Sequence, residues 1–138
     1  MPAVHDHLHR ALDAEIDDLG HVSNLRYLAW MQDAAIAHST ALGWPPRRYI
    51  EAGAFWVVRS HTIEYLRPAF ADDEIVVRTW VAAMGRIDSV RRYRVIRRGD
   101  QALLAVGETR WVFVDASMSP RRILPEVAAA FTVVEGEP

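Results

Sequence analysis

From about Asn24 to Leu42 the apolar positions recur at helical spacing: Leu25, Leu28, Ala29, Ala35 and Ile36, with polar Gln32 in the same stripe. That periodicity predicts a helix. Ser23 or Asn24 stands where an N-cap belongs, with a side-chain oxygen for a free backbone N–H. Gly43 follows Leu42 at the position after the last turn, and Pro45-Pro46 prevents continuation. The small residues Ala29, Ala34, Ala35, Ala37 and Ser39 let this helix lie close against a sheet.

Downstream the pattern changes. After a short helical piece at Arg47 to Ala52, residues 54–66, 74–84, 88–98 and 101–115 are rich in Val, Ile, Trp, Tyr, Phe and Thr. They predict four long strands. Arg67-Pro68 with Asp72-Asp73 marks the first break and Met84-Gly85-Arg86 the second. Gly99-Asp100 predicts a tight turn, which makes the last two strands a hairpin. In the last strand Thr109, Trp111 and Phe113 share one face, and Glu108, Arg110, Val112 and Val114 the other. Upstream of the helix, residues 5–16 alternate loosely and predict a first strand ending at Ile16, with a turn over 17–23. A last turn of helix is expected around Glu126 to Ala130. Strand, helix, then four antiparallel strands is an α+β arrangement: one long helix against a curled antiparallel sheet. Without repeats, low-complexity stretches or a linker, residues 1–138 read as one domain.

The chain's 138 residues suffice for a real core, since a domain of this size buries about 68% of its unfolded surface. Cysteine is absent, which excludes thiol nucleophiles, disulfides and thiolate metal sites. All sixteen Lys+Arg residues are arginine, which excludes a Schiff-base lysine. A net charge of -2 gives no pull toward nucleic acid or an acidic membrane. No apolar run approaches the roughly 20 residues needed to cross a bilayer. The opening Met-Pro-Ala-Val-His-Asp-His does not look like a signal peptide, so a cytoplasmic protein is expected.

Candidate chemistry concentrates in Asp17-Asp18-Leu19-Gly20-His21-Val22-Ser23-Asn24. A carboxylate, a glycine-bearing turn and a helix start aim an acid or base at free N–H groups and a positive dipole end. That suits chemistry that builds negative charge on a carbonyl oxygen. Any Asp before Gly also serves as an ordinary turn residue, and Asp18 is a rival to Asp17. His5, His7 and His9 alternate on one strand face. That spacing can bind metal, but no further ligand pattern joins them, so no metal is expected. Arg86, Arg91, Arg92, Arg97 and Arg98 form a basic stretch. It reads either as a solvated strand face or as guanidinium groups for phosphates, with Arg91 and Arg97 on one face and Arg92, Arg94 and Arg98 on the other. Trp44, Phe55 and Trp56 serve equally as core or as walls of a pocket.

Asp17, Gly20, His21, Val22 and Asn24, with Tyr27 one turn into the helix, resemble the motif that opens the central helix of the hotdog-fold thioesterase superfamily. The similarity is to its 4-hydroxybenzoyl-CoA thioesterase-like group. It extends to Glu64-Tyr65-Leu66-Arg67-Pro68-Ala69 with Asp72-Asp73-Glu74, to Thr109 through Asp115, and to Arg122-Ile123-Leu124-Pro125. Ser23 departs from the family's usual Asn, and Asp18 from its usual polar residue. The resemblance implies a hotdog fold, a long central helix wrapped by a curled sheet of about five strands.

The resemblance also implies an acyl-CoA thioesterase with Asp17 as general base or nucleophile. Asn24 at the helix N-terminus would be the oxyanion site, and His21 would touch the thioester or organise the loop. Tyr27, Phe55, Trp56, Arg86 and Arg91 are the expected substrate-binding residues. Coenzyme A enters as part of the substrate and no separate cofactor is implied. A homodimer or homotetramer is implied, because the family builds its active sites at a dimer interface. The alternatives are an acyl-carrier-protein thioesterase, a hotdog hydratase or dehydratase, and a non-catalytic acyl-CoA-binding module.

Overall fold

The apolar stripe beginning at Leu25 forms helix α1 (Asn24–Ala41) in the computed structural model, which describes residues 2–138. Ser23 is its N-cap, with Oγ accepting from the Leu25 N–H at 3.4 Å. At the other end the Leu42 N–H donates to His38 O, and Gly43 takes φ +95°, which turns the chain away. The buried positions Tyr27, Trp30, Met31, Ala34, Ala35 and His38 follow the three-and-four spacing of one helix face. Pro46 then starts a second, short helix, α2 (Pro46–Ala52), in the position where its missing N–H costs nothing.

Five strands make one antiparallel sheet: β1 (Val4–Arg10), β2 (Ala54–Tyr65), β3 (Glu74–Met84), β4 (Asp88–Arg97) and β5 (Leu103–Asp115). Their spatial order is β1-β3-β4-β5-β2, so β1 and β2 are the edges. Register shifts between Val58 and Ser60, Val81 and Ala83, and Val95 and Ile96 interrupt the ladders. Such irregularities bend strands and increase twist, which curls the sheet around α1. Alternate residues of β3 (Ile75, Val77, Thr79, Val81) and β4 (Ser89, Arg91, Tyr93, Val95) are buried on the helix side. At Gly107 of β5 the helix comes so close that a Cβ would lie 2.7 Å from Met31 Sδ. Helix α3 (Pro125–Ala130) closes the far end, where Ile123, Val127 and Phe131 pack with Trp44, Tyr49, Val81 and Phe113.

The α+β class and the five-stranded curled sheet match the reading of the sequence. Two local expectations do not hold. The first strand ends at Arg10, not at Ile16. Ala11 is tied to the start of β3 by its N–H on Asp73 O and its carbonyl under Asp72 N–H, both at 2.9 Å. The Glu15 carboxylate then accepts the Leu12 N–H at 2.9 Å and winds Asp13–Glu15 into one 3-10 turn. The loose alternation of residues 11–16 records that turn. The β4–β5 connection is also longer than a tight two-residue turn: Arg97 N–H donates to Ala102 O at 2.9 Å across residues 98–101. Its left-handed residue is Gln101 (φ 58°) and not Gly99. Asp100 holds it by accepting Arg97 Nε and Ala102 N–H. No helix among the described residues is long and apolar enough to cross a membrane.

Candidate active site

A short loop leads into the N-terminus of α1. Ile16 and Val22 form an isolated antiparallel bridge, and the Asp17 N–H donates to His21 O at 2.9 Å. Gly20, at φ +86°, makes the reversal between them possible, a conformation costly for any residue with a Cβ. The Asp17 side chain is half-buried, and its Oδ1 accepts the Leu19 N–H at 2.9 Å. His21 Nδ1 lies 3.8 Å from Oδ2, beyond hydrogen-bond range, and that nitrogen sits 3.3 Å from Val22 O. One oxygen of Asp17 is thus fixed and the other left available. Asp18 is exposed and makes no hydrogen bond among the described residues, so the geometry favours Asp17 over its neighbour.

The helix start is equally open. Ser23 N–H is used by Glu15 O and Leu25 N–H by Ser23 Oγ, but no described group accepts the Asn24 N–H. Asn24 is exposed, and its carbonyl accepts the Tyr65 hydroxyl at 3.0 Å. A free N–H at the positive end of an eighteen-residue helix is a ready donor to an oxygen that develops negative charge.

Glu15 carries the loop on a polar anchor beneath it. Its side chain accepts Trp30 Nε1–H at 2.8 Å and Leu12 N–H at 2.9 Å, and meets His9 Nε2 at 2.8 Å. Burial pushes the Glu15 carboxyl up, but these hydrogen bonds outweigh it and hold the group below its ordinary range. Sequence reasoning passed over Glu15 because a glutamate in a loosely alternating segment carries no mark of burial. A capping carboxylate three residues after Leu12 was the available signal.

The second feature lies at the opposite half of α1. A cavity of about 470 Å³ opens between α1, α2, the start of β2 and the sheet. Trp44, Phe55, Trp56, Trp111 and Phe131 supply much of its aromatic wall, and Arg91 reaches it from β4. Arg91 is 5% exposed. Its Nη1 donates to His38 Nδ1 at 2.9 Å and to Thr79 Oγ1 at 3.1 Å. His38 Nδ1 must therefore be unprotonated, which leaves Nε2–H to donate to Pro2 O at 3.1 Å. Burial first, then the Arg91 charge, pushes the His38 pKa down to about 4, in keeping with that tautomer.

The structure thus divides the expected site residues into groups. Asp17, His21 and Asn24 stand together at the N-terminus of α1. Phe55, Trp56 and Arg91 stand together at the cavity. From Asn24 to Ala35, the first α1 residue that lines the cavity, the helix runs roughly 17 Å at 1.5 Å per residue. Tyr27 belongs to neither: it is 1% exposed, packs edge-on to Trp30, and its hydroxyl accepts the Ala69 N–H at 3.1 Å. Arg86 lies exposed in the β3–β4 turn, with its carbonyl taking the Ile123 N–H. Of the three histidines of β1, His5 stacks on His38 and His9 is bound to Glu15. Among the described residues no group of three or more potential ligands is arranged to hold a metal ion. His38 was not anticipated, since one histidine on an apolar helix face looks like any core residue.

Comparison with known proteins agrees with this architecture. Residues 12–131 match the profile of a family described as the thioesterase-like superfamily. No curated protein matches the chain in sequence. Among solved structures, a hypothetical protein from Thermus thermophilus is 27% identical, with a TM-score of 0.86 over 92% of this chain and 96% of that one. A 1,4-dihydroxy-2-naphthoyl-CoA thioesterase from Synechocystis is 16% identical, with a TM-score of 0.86 over 92% and 94%. A DHNA-CoA thioesterase from Staphylococcus aureus is 22% identical, with a TM-score of 0.86 over 92% and 87%.

Proposed function

This chain belongs to the thioesterase-like superfamily, and from that premise we propose that it hydrolyses an acyl-CoA thioester to the free acid and coenzyme A, with Asp17 as its reacting carboxylate. One observation carries the reading. An aspartate with one fixed and one available oxygen sits in the loop that leads into a helix whose first N–H has no acceptor among the described residues.

In the general-base route, Asp17 Oδ2 takes a proton from water as the water oxygen attacks the thioester carbon. In the nucleophilic route, Oδ2 attacks that carbon itself, and water then cleaves the resulting anhydride. Both routes place negative charge on the carbonyl oxygen, break the C–S bond and return a proton to the thiolate. The Asn24 N–H at the positive end of α1 is the group we assign to that oxyanion; one such donor is worth about 2.7–4 kcal/mol in comparable enzymes. Hydrolysis changes no oxidation state, so the reaction as written needs no redox cofactor.

Two copies of the chain complete the reading. The roughly 17 Å of helix between the Asp17 loop and the near end of the cavity is too far for one short acyl group to span within one copy. The outer edge of β2, twelve residues long, has no strand beside it among the described residues. Antiparallel pairing of two such edges about a two-fold axis would reverse α1 of the second copy and bring its N-terminus toward the first copy's cavity. Leu25 (79% exposed) and Ile36 (48%) lie about three turns apart on one stripe of α1, an apolar surface for such a partner.

Thiol release from a panel of short, medium, long and aromatic acyl-CoAs, with unsubstituted protein beside Asp17→Asn, tests the assignment. Release that depends on Asp17 is expected. A folded Asp17→Asn protein with full activity would overturn it. Release only from acyl-carrier-protein esters would change the carrier, and a double-bond change without thiol release would point to a hydratase.

A further inference from the structure

The basic stretch of β4 contains one arginine unlike its neighbours. Arg92 pairs with Glu108 at 3.2 Å, Arg94 with Glu137, Arg97 with Asp73 at 3.3 Å and Asp100 at 3.0 Å, and Arg98 with Glu74 at 3.6 Å. These four lie at or near the surface. Arg91 is the buried one, and no carboxylate is within ion-pair distance of it among the described residues. Its protein partners, His38 and Thr79, are neutral acceptors, and both are taken by Nη1. Nη1 carries two protons, so these bonds use it up and leave Nε–H and Nη2 without hydrogen-bond partners among the described residues.

That remaining edge is the fork that guanidinium groups present to carboxylates. This chain uses it twice elsewhere. Arg78 gives Nε and Nη2 to the two oxygens of Asp6 at 2.8 and 3.0 Å, and Arg97 gives the same pair to Asp100 at 3.0 and 3.2 Å. At Arg91 the same fork meets no carboxylate among the described residues. The only sealed side-chain nitrogen or oxygen atoms without a partner among the described residues are Trp80 Nε1 and Tyr93 Oη. The free edge of Arg91 therefore keeps contact with open space, and Arg91 lines the aromatic cavity. An unpaired cation in an apolar wall is costly to maintain unless something neutralises it.

We propose that Arg91 is the anchor for a carboxylate at the far end of the acyl group, so that the cavity selects acyl chains ending in an acid over those ending in a methyl group. The aromatic walls take the carbon body of the acyl group, and the Nε–Nη2 fork takes its terminal oxygens. His38 and Thr79 act as positioning residues: they fix Nη1 and so set the plane of the fork. The proposal rests on the reading of this cavity as the acyl pocket, and it assigns Arg91 to the acyl end and not to a coenzyme phosphate.

The test compares matched esters on the full chain. Adipyl-CoA is set against hexanoyl-CoA for aliphatic chains, and 4-carboxybenzoyl-CoA against benzoyl-CoA for aryl groups. Binding is read by tryptophan fluorescence and calorimetry in Asp17→Asn protein, and turnover in unsubstituted protein. At least tenfold tighter binding of the acid-ended member of one pair is expected, and the pair that shows it identifies the acyl body. Adding Arg91→Met should bring the ratio to near one. Arg91→Lys, which keeps the charge without the fork, should retain part of it and serves where Arg91→Met does not fold.

A ratio near or below one in both pairs overturns the proposal, as does a ratio that survives Arg91→Met. An intact binding ratio without turnover would sink the thioesterase reading alone. Turnover of methyl-ended esters with a ratio near one would sink the proposal for Arg91 alone. Absence of binding by all four esters would overturn both.

Discussion

The two ends of α1 carry two kinds of site. At the N-terminus, the Asp17 loop is built from eight consecutive residues held mainly by local backbone hydrogen bonds. At the other half, the cavity and its Arg91–His38–Thr79 cluster are assembled from six elements, α1, α2 and β2 to β5, with Phe131 after α3. The first end is polar, half-exposed and anionic; the second is an open, largely aromatic cavity with one buried cation. A reacting group gains from access to water and a fixed local geometry. A specificity group gains from removal from water, where one charge discriminates strongly between ligands.

Substitutions separate the two ends. The largest effect is expected from Asp17→Asn: kcat falls about 10³- to 10⁴-fold, roughly 4–5.5 kcal/mol of barrier, while the thermal midpoint stays put because Asn still accepts the Leu19 N–H. Single-turnover rates and a melting curve check it, and loss of the fold would show Asp17 to be structural.

Glu15→Ala ranks next. It strands the Trp30 and Leu12 donors and frees the loop, for an expected loss of about 4 kcal/mol of stability along with activity. Urea unfolding measures the first and thiol release the second.

The cavity end should answer to pH. His38 is near 4 in the folded protein and about 6.5 unfolded. The unfolded chain therefore binds the proton first as pH falls, and stability declines from pH 6.5 to pH 4 by on the order of 3 kcal/mol. His38→Asn keeps an acceptor for Arg91 and cannot titrate, so its loss over that window should be smaller by that amount. Equal pH slopes for the two proteins in chemical denaturation would refute the tautomer assigned to His38.

The smallest effect is Ser23→Ala at the N-cap. It is expected to cost about 1 kcal/mol, with KM unaffected and kcat reduced only slightly. A large fall in kcat would show that the cap orients the Asn24 N–H.

The Asp17 loop was legible in the sequence because its geometry comes from neighbours: Gly20 permits the reversal, Ser23 caps the helix, and the periodic stripe fixes where the helix begins. The strands were legible because β-branched and aromatic runs with period two have few alternatives. Residues 11–16 were misjudged as strand because Glu15 folds back on Leu12, a side-chain bond that alternation does not report. Gly99-Asp100 was expected to form a tight turn. Asp100 bonds to Arg97 and Ala102 instead, and these place the left-handed residue at Gln101.

By itself the sequence determined the α+β class, the helix with its cap and stop, the strands in order, and the carboxylate before the helix. Each follows from interactions between residues close in the chain. Only the tertiary structure decided which arginine of a uniform basic stretch is buried and unpaired, which histidine stays neutral, and that the acid and the cavity lie at opposite ends of one helix. Those properties depend on burial and on partners dozens of residues away: Arg91 lies 53 positions from His38. Local pattern carries no record of such distances, and desolvation, which gives the cavity its chemistry, exists only once the sheet has closed around α1.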